Sequence, residues 1–256
     1  MTVTDAELVV EVTGPVATVV IRNPDRRNAM TPAMWRQLPV LLDGLEADPA
    51  VRALVLTGAD GTFCAGADLG GLEELLTGDL AIAVAAEERL AAFAKPTVAA
   101  IRGACVGGGC QLAVACDLRI AAEDARFGVP PARLGLVYPP PTTRRLARLI
   151  GPAAAKHLLF TGDLVDAGRA LRVGLVDEVL PGVELAARID GLTGTIAERS
   201  QLSVAAAKEI VDDRADDDRI AWWHRQMRDS GEAREGLAAF HERRPPRFTW
   251  APPNNP

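Results

Sequence analysis

Residues 104–117 read ACVGGGCQLAVACD. Three glycines in succession, Gly107 to Gly109, run straight into an apolar segment of helical character. Glycine loses more backbone freedom on folding than any other residue and is a poor helix former. Three of them at the mouth of a helix need a reason. A helix start carries unpaired N–H groups and roughly half a positive charge, and glycine lets another group approach that backbone closely. The pattern predicts a site for negative charge. A phosphate loop would continue with Gly-Lys-Ser/Thr, but here Cys110 and Gln111 follow. The charge that fits is smaller and transient, such as an enolate oxygen on a thioester.

A second turn of the same kind lies at residues 61–69, GTFCAGADL, just after a short strand candidate at 53–57. Two such turns can aim two N–H groups at one carbonyl oxygen. Loss of one such donor typically costs about 3–4 kcal/mol of transition-state stabilisation.

Around these turns the chain alternates strand and helix signals. Residues 7–12 and 16–21 are β-rich runs about Thr13–Gly14–Pro15, a hairpin. Thr31–Pro32 starts a helix over 31–47, with a kink expected at Pro39. Buried strands are expected at 53–57, 96–102, 118–123 and 175–180. Helices are expected at 79–93, 109–116, 142–150, 152–159 and 166–172. That order predicts an α/β fold with largely parallel pairing. No G-x-G-x-x-G follows the first strand, which argues against a dinucleotide site. Beyond about residue 185 only helical patterns remain, at 184–200, 201–215, 217–229 and 232–242, with breaks at Gly191 and Gly231. The expected organisation is an α/β core over 1–184, a helical region over 185–248 and a Pro-rich tail over 249–256.

Composition narrows the partners. The 256 residues are 48% hydrophobic and 24% charged, with a net charge of −6 and a pI near 5.2. No basic cluster is of the kind that tracks phosphates, so nucleic acid is not an expected partner. No apolar stretch nears the roughly 18 residues of a membrane span, and the start, MTVTDAELVV, has no signal-peptide pattern. Cys64, Cys105, Cys110 and Cys116 form no C-x-x-C pair and lie far from the three histidines, so no metal site is expected. They read as small buried residues in a reducing cytoplasm.

NPDRRNAM (23–30), LVLTGADGTFCAGADL (54–69), KPTVAAIRGACVGGGCQLAVACDLRIAAEDARFG (95–128), FTGDLVDAGRALRVGLVDEVL (160–180) and EGLAAFHERRPPRF (235–248) together resemble the crotonase superfamily, the enoyl-CoA hydratase/isomerase family. The resemblance implies a crotonase-like spiral of ββα turns with a helical C-terminal region for oligomerisation and pocket closure. It also implies a homotrimer or dimer of trimers, and an acyl-CoA thioester as ligand, with no cofactor or metal beyond the CoA moiety. By the same resemblance the N–H groups of Ala67 and Gly108 form the oxyanion hole. Arg26, Arg27, Ala29, Ala65, Asp68 and Leu69 would meet CoA from one side, and Phe240 and Arg243 from the C-terminal region, often across a subunit boundary.

The family's hydratases carry one glutamate in GGGCE and another in FGxPE. Gln111 and Pro131 stand at those positions. Adding water across a double bond needs a base for the water and an acid for the α-carbon, and neither residue supplies them, so standard hydration is not expected. The acids that remain nearby are Asp68, Glu73, Glu74, Glu87 and Glu88, with Asp68 better explained by its turn. The loop PPARLGLVY (130–138) is similar to the TPxxLGxxY pattern of methylmalonyl-CoA decarboxylases in the same superfamily: Pro131, Leu134, Gly135 and Tyr138 match. Pro130 replaces the threonine, and Ala67 stands where such enzymes can carry histidine. One reading is therefore decarboxylation of a malonyl-type acyl-CoA assisted by Tyr138, with Arg133 and Arg144 flanking the acyl pocket around Pro131. Another is an acyl-CoA binding protein that has lost catalysis.

Overall fold

The computed structural model describes residues 6–68, 70 and 80–251, apart from the side chain of Leu80. Leu69, Glu73, Glu74 and tail residues 252–256 lie outside the described residues.

The β-rich runs on either side of Gly14 pair as an antiparallel hairpin of β1 (Glu7–Thr13) and β2 (Val16–Arg22). Gly14 takes φ 56° at the turn, a conformation glycine adopts without steric cost. Along β2 every second residue is buried, the period of a strand with one face on a core. Next comes α1 (Pro32–Ala47), whose start is fixed by the Thr31 hydroxyl accepting from the Met34 N–H and by Pro32 in the first turn. β3 (Ala53–Gly58), α2 (Leu80–Ala91), β4 (Thr97–Ile101), β5 (Ala104–Val106), α3 (Gly108–Ala115) and β6 (Leu118–Ala122) follow. Then come β7 (Arg126–Gly128), α4 (Pro131–Leu134), α5 (Pro140–Thr161), β8 (Val165–Asp166), α6 (Ala167–Arg172) and β9 (Glu178–Leu180).

Two sheets result. The larger has the order β1-β2-β3-β4-β6-β9 and is parallel from β2 onward. The smaller has the order β5-β7-β8. Leu54 and Leu56 of β3 join the main core with Trp35, Phe63 and Phe127. Val55, Val98 and Ile120 face the other way and bury Leu185 and Ile189 of α7 (Leu185–Glu198). After α7 the described residues contain only α8 (Gln201–Val211), α9 (Asp217–Asp229) and α10 (Glu232–Glu242) as regular elements. The chain is thus the mixed α/β fold expected from the alternating signals.

Pro39 lies inside α1, which runs on to Ala47 as expected, with buried Leu38 and Leu42 anchoring the helix on both sides. Some local expectations need correction. Gly191 does not break α7: a Cβ there would meet nothing, so the position is simply an open helical surface. Gly231, at φ 79°, does separate α9 from α10, and Gly151, at φ 77° and ψ 158°, splits α5 ahead of Pro152. The strand expected at 175–180 is only the three residues of β9.

Candidate active site

The loop after β3 is held between two neighbours. On one side Cys64 donates to the Ala104 carbonyl at 2.8 Å and accepts from the Val106 N–H at 3.0 Å, which lays the loop along β5. On the other side Met30 donates to the Gly66 carbonyl at 2.8 Å and accepts from the Asp68 N–H at 2.9 Å. The groups flanking Ala67 are therefore occupied by Met30, and the N–H of Ala67 itself is turned to the opposite side. Gly108 lies there: a Cβ on Gly108 would sit 3.7 Å from the Ala67 nitrogen, and a Cβ on Gly66 would sit 3.6 Å from the Gly108 nitrogen. Among the described residues neither the Ala67 nor the Gly108 N–H has a hydrogen-bond partner.

The triple glycine now has its reason. Gly107 caps α3 with φ 56° and ψ −124°, which turns the chain from β5 into the helix. A Cβ on Gly109 would lie 2.3 Å from the Cys64 carbonyl oxygen, so only glycine lets α3 sit this close to the first turn. The turn at residues 23–29 braces the same loop. Asn28 donates to the Ala59 and Thr62 carbonyls at 2.7 and 2.5 Å, and Ala65 donates to the Arg27 carbonyl at 3.0 Å.

Ala67 and Gly108 line a mostly apolar cavity of about 420 Å³. Its polar lining side chains include Trp35, Glu87, Gln111 and Tyr138. Gln111 is 1% exposed, and neither its Oε1 nor its Nε2 has a partner among the described residues; the same holds for Trp35 Nε1 and Glu87 Oε2. Buried polar atoms are nearly always satisfied, so orphaned atoms gathered in one cavity make it the candidate site. Burial pushes the Glu87 carboxyl up to about 8; Arg145 opposes the shift and Glu88 adds to it. Burial also raises the Tyr138 phenol, with the Glu87 and Cys110 charges adding, so the hydroxyl stays protonated at neutral pH. A Cβ on Gly107 would lie 3.2 Å from that hydroxyl.

The other residues singled out from the sequence fall into two groups. Arg27, Ala65 and Arg133 line the cavity. Arg26 is exposed in the neighbouring turn, and Ala29 is buried and accepts from the Asn23 side chain at 2.7 Å. Asp68 bonds the Gly70 N–H at 2.9 Å, as its turn requires. Pro131 is buried at the start of α4, and its neighbour Pro130 meets the cavity instead. Phe240 and Arg243 are exposed on and after α10, apart from the cavity lining. All four cysteines are buried free thiols; burial drives Cys64 and Cys116 up to about 12, which leaves them unreactive. No group of His, Cys, Asp or Glu among the described residues could hold a metal.

Glu87 is one of five acids that the sequence leaves open, and the structure separates the three that are described, Asp68, Glu87 and Glu88. Glu88 is exposed and pairs with Arg145, whereas Glu87 faces inward with Ala83 and Leu90. The signal was present: four residues on from Ala83 and three before Leu90, position 87 sits on the apolar stripe of α2.

A family model described as enoyl-CoA hydratase/isomerase matches residues 11–251. A Thermus thermophilus protein provisionally named an enoyl-CoA hydratase is 39% identical over 92% of this chain and 98% of its own length. The crotonyl-CoA hydratase of Syntrophomonas wolfei is 33% identical over 94% of this chain and 97% of its own. The crystal structure of an enoyl-CoA hydratase/isomerase family member superposes with a TM-score of 0.92 at 38% identity, covering 97% of this chain and 98% of that one.

Proposed function

The chain belongs to the enoyl-CoA hydratase/isomerase family, and from that premise we propose that it processes an acyl-CoA thioester through an enolate held by the Ala67 and Gly108 amides. The observation that carries this reading is the pair of adjacent N–H groups, without partners among the described residues, at a mostly apolar cavity. Donors fixed in place before charge develops act most strongly where water is excluded. Arg26 and Arg27, with Ala29, Ala65, Asp68 and Leu69, would hold the CoA moiety. Arginine suits its phosphates. Phe240 and Arg243 would reach CoA across the boundary of a homotrimer or dimer of trimers. This chemistry calls on no metal and no cofactor beyond the substrate's CoA. Four buried free thiols fit a cytoplasmic setting, and no described helix is long and apolar enough to cross a membrane.

Two-glutamate hydration is not part of this reading, since Gln111 and Pro131 occupy the positions concerned. Two measurements test it. In D₂O the enzyme is expected to incorporate deuterium at the α-carbon of butyryl-CoA. Crotonyl-CoA hydration is expected to stay far below the ~10 s⁻¹ of an ordinary enzyme. Binding of butyryl-CoA without exchange overturns the enolate reading and leaves an acyl-CoA carrier; hydration at an ordinary rate overturns the exclusion of hydratase chemistry.

A second reading is favoured by the Tyr138 hydroxyl, which lines the cavity beside Gly107. In it a malonyl-type thioester loses CO₂, its bonding electrons pass to the enolate, and Tyr138 orients the departing carboxylate. Methylmalonyl-CoA that releases no CO₂ removes it.

A further inference from the structure

We propose that Glu87 of α2 is the catalytic acid–base residue of this cavity, moving a proton to and from the acyl chain beside the thioester carbonyl. The proposal rests on the enolate reading above. Glu87 is the one carboxylate among the described residues that line the cavity holding Ala67 and Gly108. It is 4% exposed, and its Oε2 has no partner among the described residues. A structural carboxylate at that depth would be expected to be bonded. The orphaned Gln111 amide from α3 and Tyr138, ahead of α5, line the same cavity.

The charges facing Glu87 leave it free to titrate. From α5, Arg145 bonds Glu88 rather than Glu87. From α3 the neighbouring ionisable group is Cys110, a buried thiol. On α2 itself, Arg89 is taken up by Asp43 and Glu46 of α1 at 2.7 and 2.8 Å and is not directed to Glu87. Burial brings the Glu87 carboxyl to about 8, where both forms are populated near neutrality.

One carboxylate can perform a complete cycle on a β,γ-unsaturated thioester. Ionised Glu87 removes a proton from the α-carbon. The C–H electron pair forms an α-carbon–carbonyl double bond, and the carbonyl electrons move to the oxygen facing Ala67 and Gly108. Protonated Glu87 then returns a proton to the γ-carbon, the electrons flow back, and the double bond lies between the α- and β-carbons. Nothing is consumed, and Glu87 ends as it began. A saturated thioester goes only as far as α-proton exchange with solvent.

The test uses 3-butenoyl-CoA, followed as crotonyl-CoA formation, and butyryl-CoA in D₂O, on the wild type, Glu87→Gln and Glu87→Asp. Glu87→Gln is expected to lose about 100-fold or more of both activities while its Kd for butyryl-CoA changes less than about threefold. Glu87→Asp, one methylene shorter but still an acid, falls between the two and serves also if the Gln variant folds poorly. Wild-type kcat/KM is expected to rise with pH through a pKa near 8, and that limb to disappear in Glu87→Gln. A Gln variant retaining activity within about fivefold, or retaining the limb, overturns the role of Glu87 alone. A wild type that binds butyryl-CoA but exchanges no proton overturns the enolate reading and Glu87 with it.

Discussion

Glu87 and Glu232 are 4% and 5% exposed, yet the fold treats them differently. Glu232 starts α10 with both oxygens engaged: Oε1 accepts from the Trp250 N–H at 2.8 Å, and Oε2 from the Ser200 hydroxyl. It ties the C-terminal segment to the start of α8. Glu87 has an oxygen with no protein partner among the described residues and faces a cavity. Burying an unpaired carboxyl costs free energy, and the group answers by holding its proton. The difference teaches how to tell a structural acid from a working one at equal burial: by whether its oxygens have partners and whether it faces a cavity.

Four expected outcomes would break or sharpen that contrast. The largest is in stability. Glu232→Ala strands the Ser200 hydroxyl and the Trp250 N–H and should cost about 4 kcal/mol in urea denaturation, with turnover per folded molecule unchanged. A loss below about 0.5 kcal/mol would place Glu232 among ordinary surface substitutions.

Glu87→Gln should move the other way. The folded-state pKa lies near 8, against 4.5 for the free group. Between those values the folded chain holds a proton that the unfolded chain releases, so wild-type stability falls as pH rises through that window. Glutamine cannot ionise. From pH 4.5 to 7 the variant should gain about 3 kcal/mol relative to wild type. Parallel stability–pH curves would contradict the raised pKa.

Tyr138→Phe comes next. If Glu87 carries the proton, deleting the hydroxyl should slow isomerisation by about tenfold at most, roughly 1.4 kcal/mol. A loss matching that of Glu87→Gln would move the tyrosine into the leading role. The smallest effect is electrostatic. Arg145 favours the charged form of Glu87, so Arg145→Met should shift the wild-type pH limb upward. A downward shift would contradict the assignment of that limb to Glu87.

Legibility in the sequence followed the range of the forces involved. The β1–β2 hairpin is written in local turn chemistry at Thr13–Gly14–Pro15, and the Thr31–Pro32 helix start in a local cap. Strands β5, β7 and β8 have two or three residues each and exist only through tertiary pairing, so no periodicity announces them. At the site, Gly107 and Gly109 stand out because glycine is needed where it is found. Their partner surface at Cys64 does not, since a backbone approach leaves no mark on the approached residue's identity. The apolar stripe of α2 already turns Glu87 inward and leaves Glu88 exposed, but only the docking of α2 on α3 and α5 brings Glu87 to the cavity that holds Ala67 and Gly108.

The most direct test of the site as a whole is to replace the Gly66–Ala67 amide with an ester, by incorporating lactic acid at position 67. The change deletes one N–H and keeps the methyl group. The expected result is α-proton exchange on butyryl-CoA slowed by about 100-fold or more, with thioester binding nearly unchanged. Exchange at the wild-type rate would mean that no oxyanion rests on Ala67.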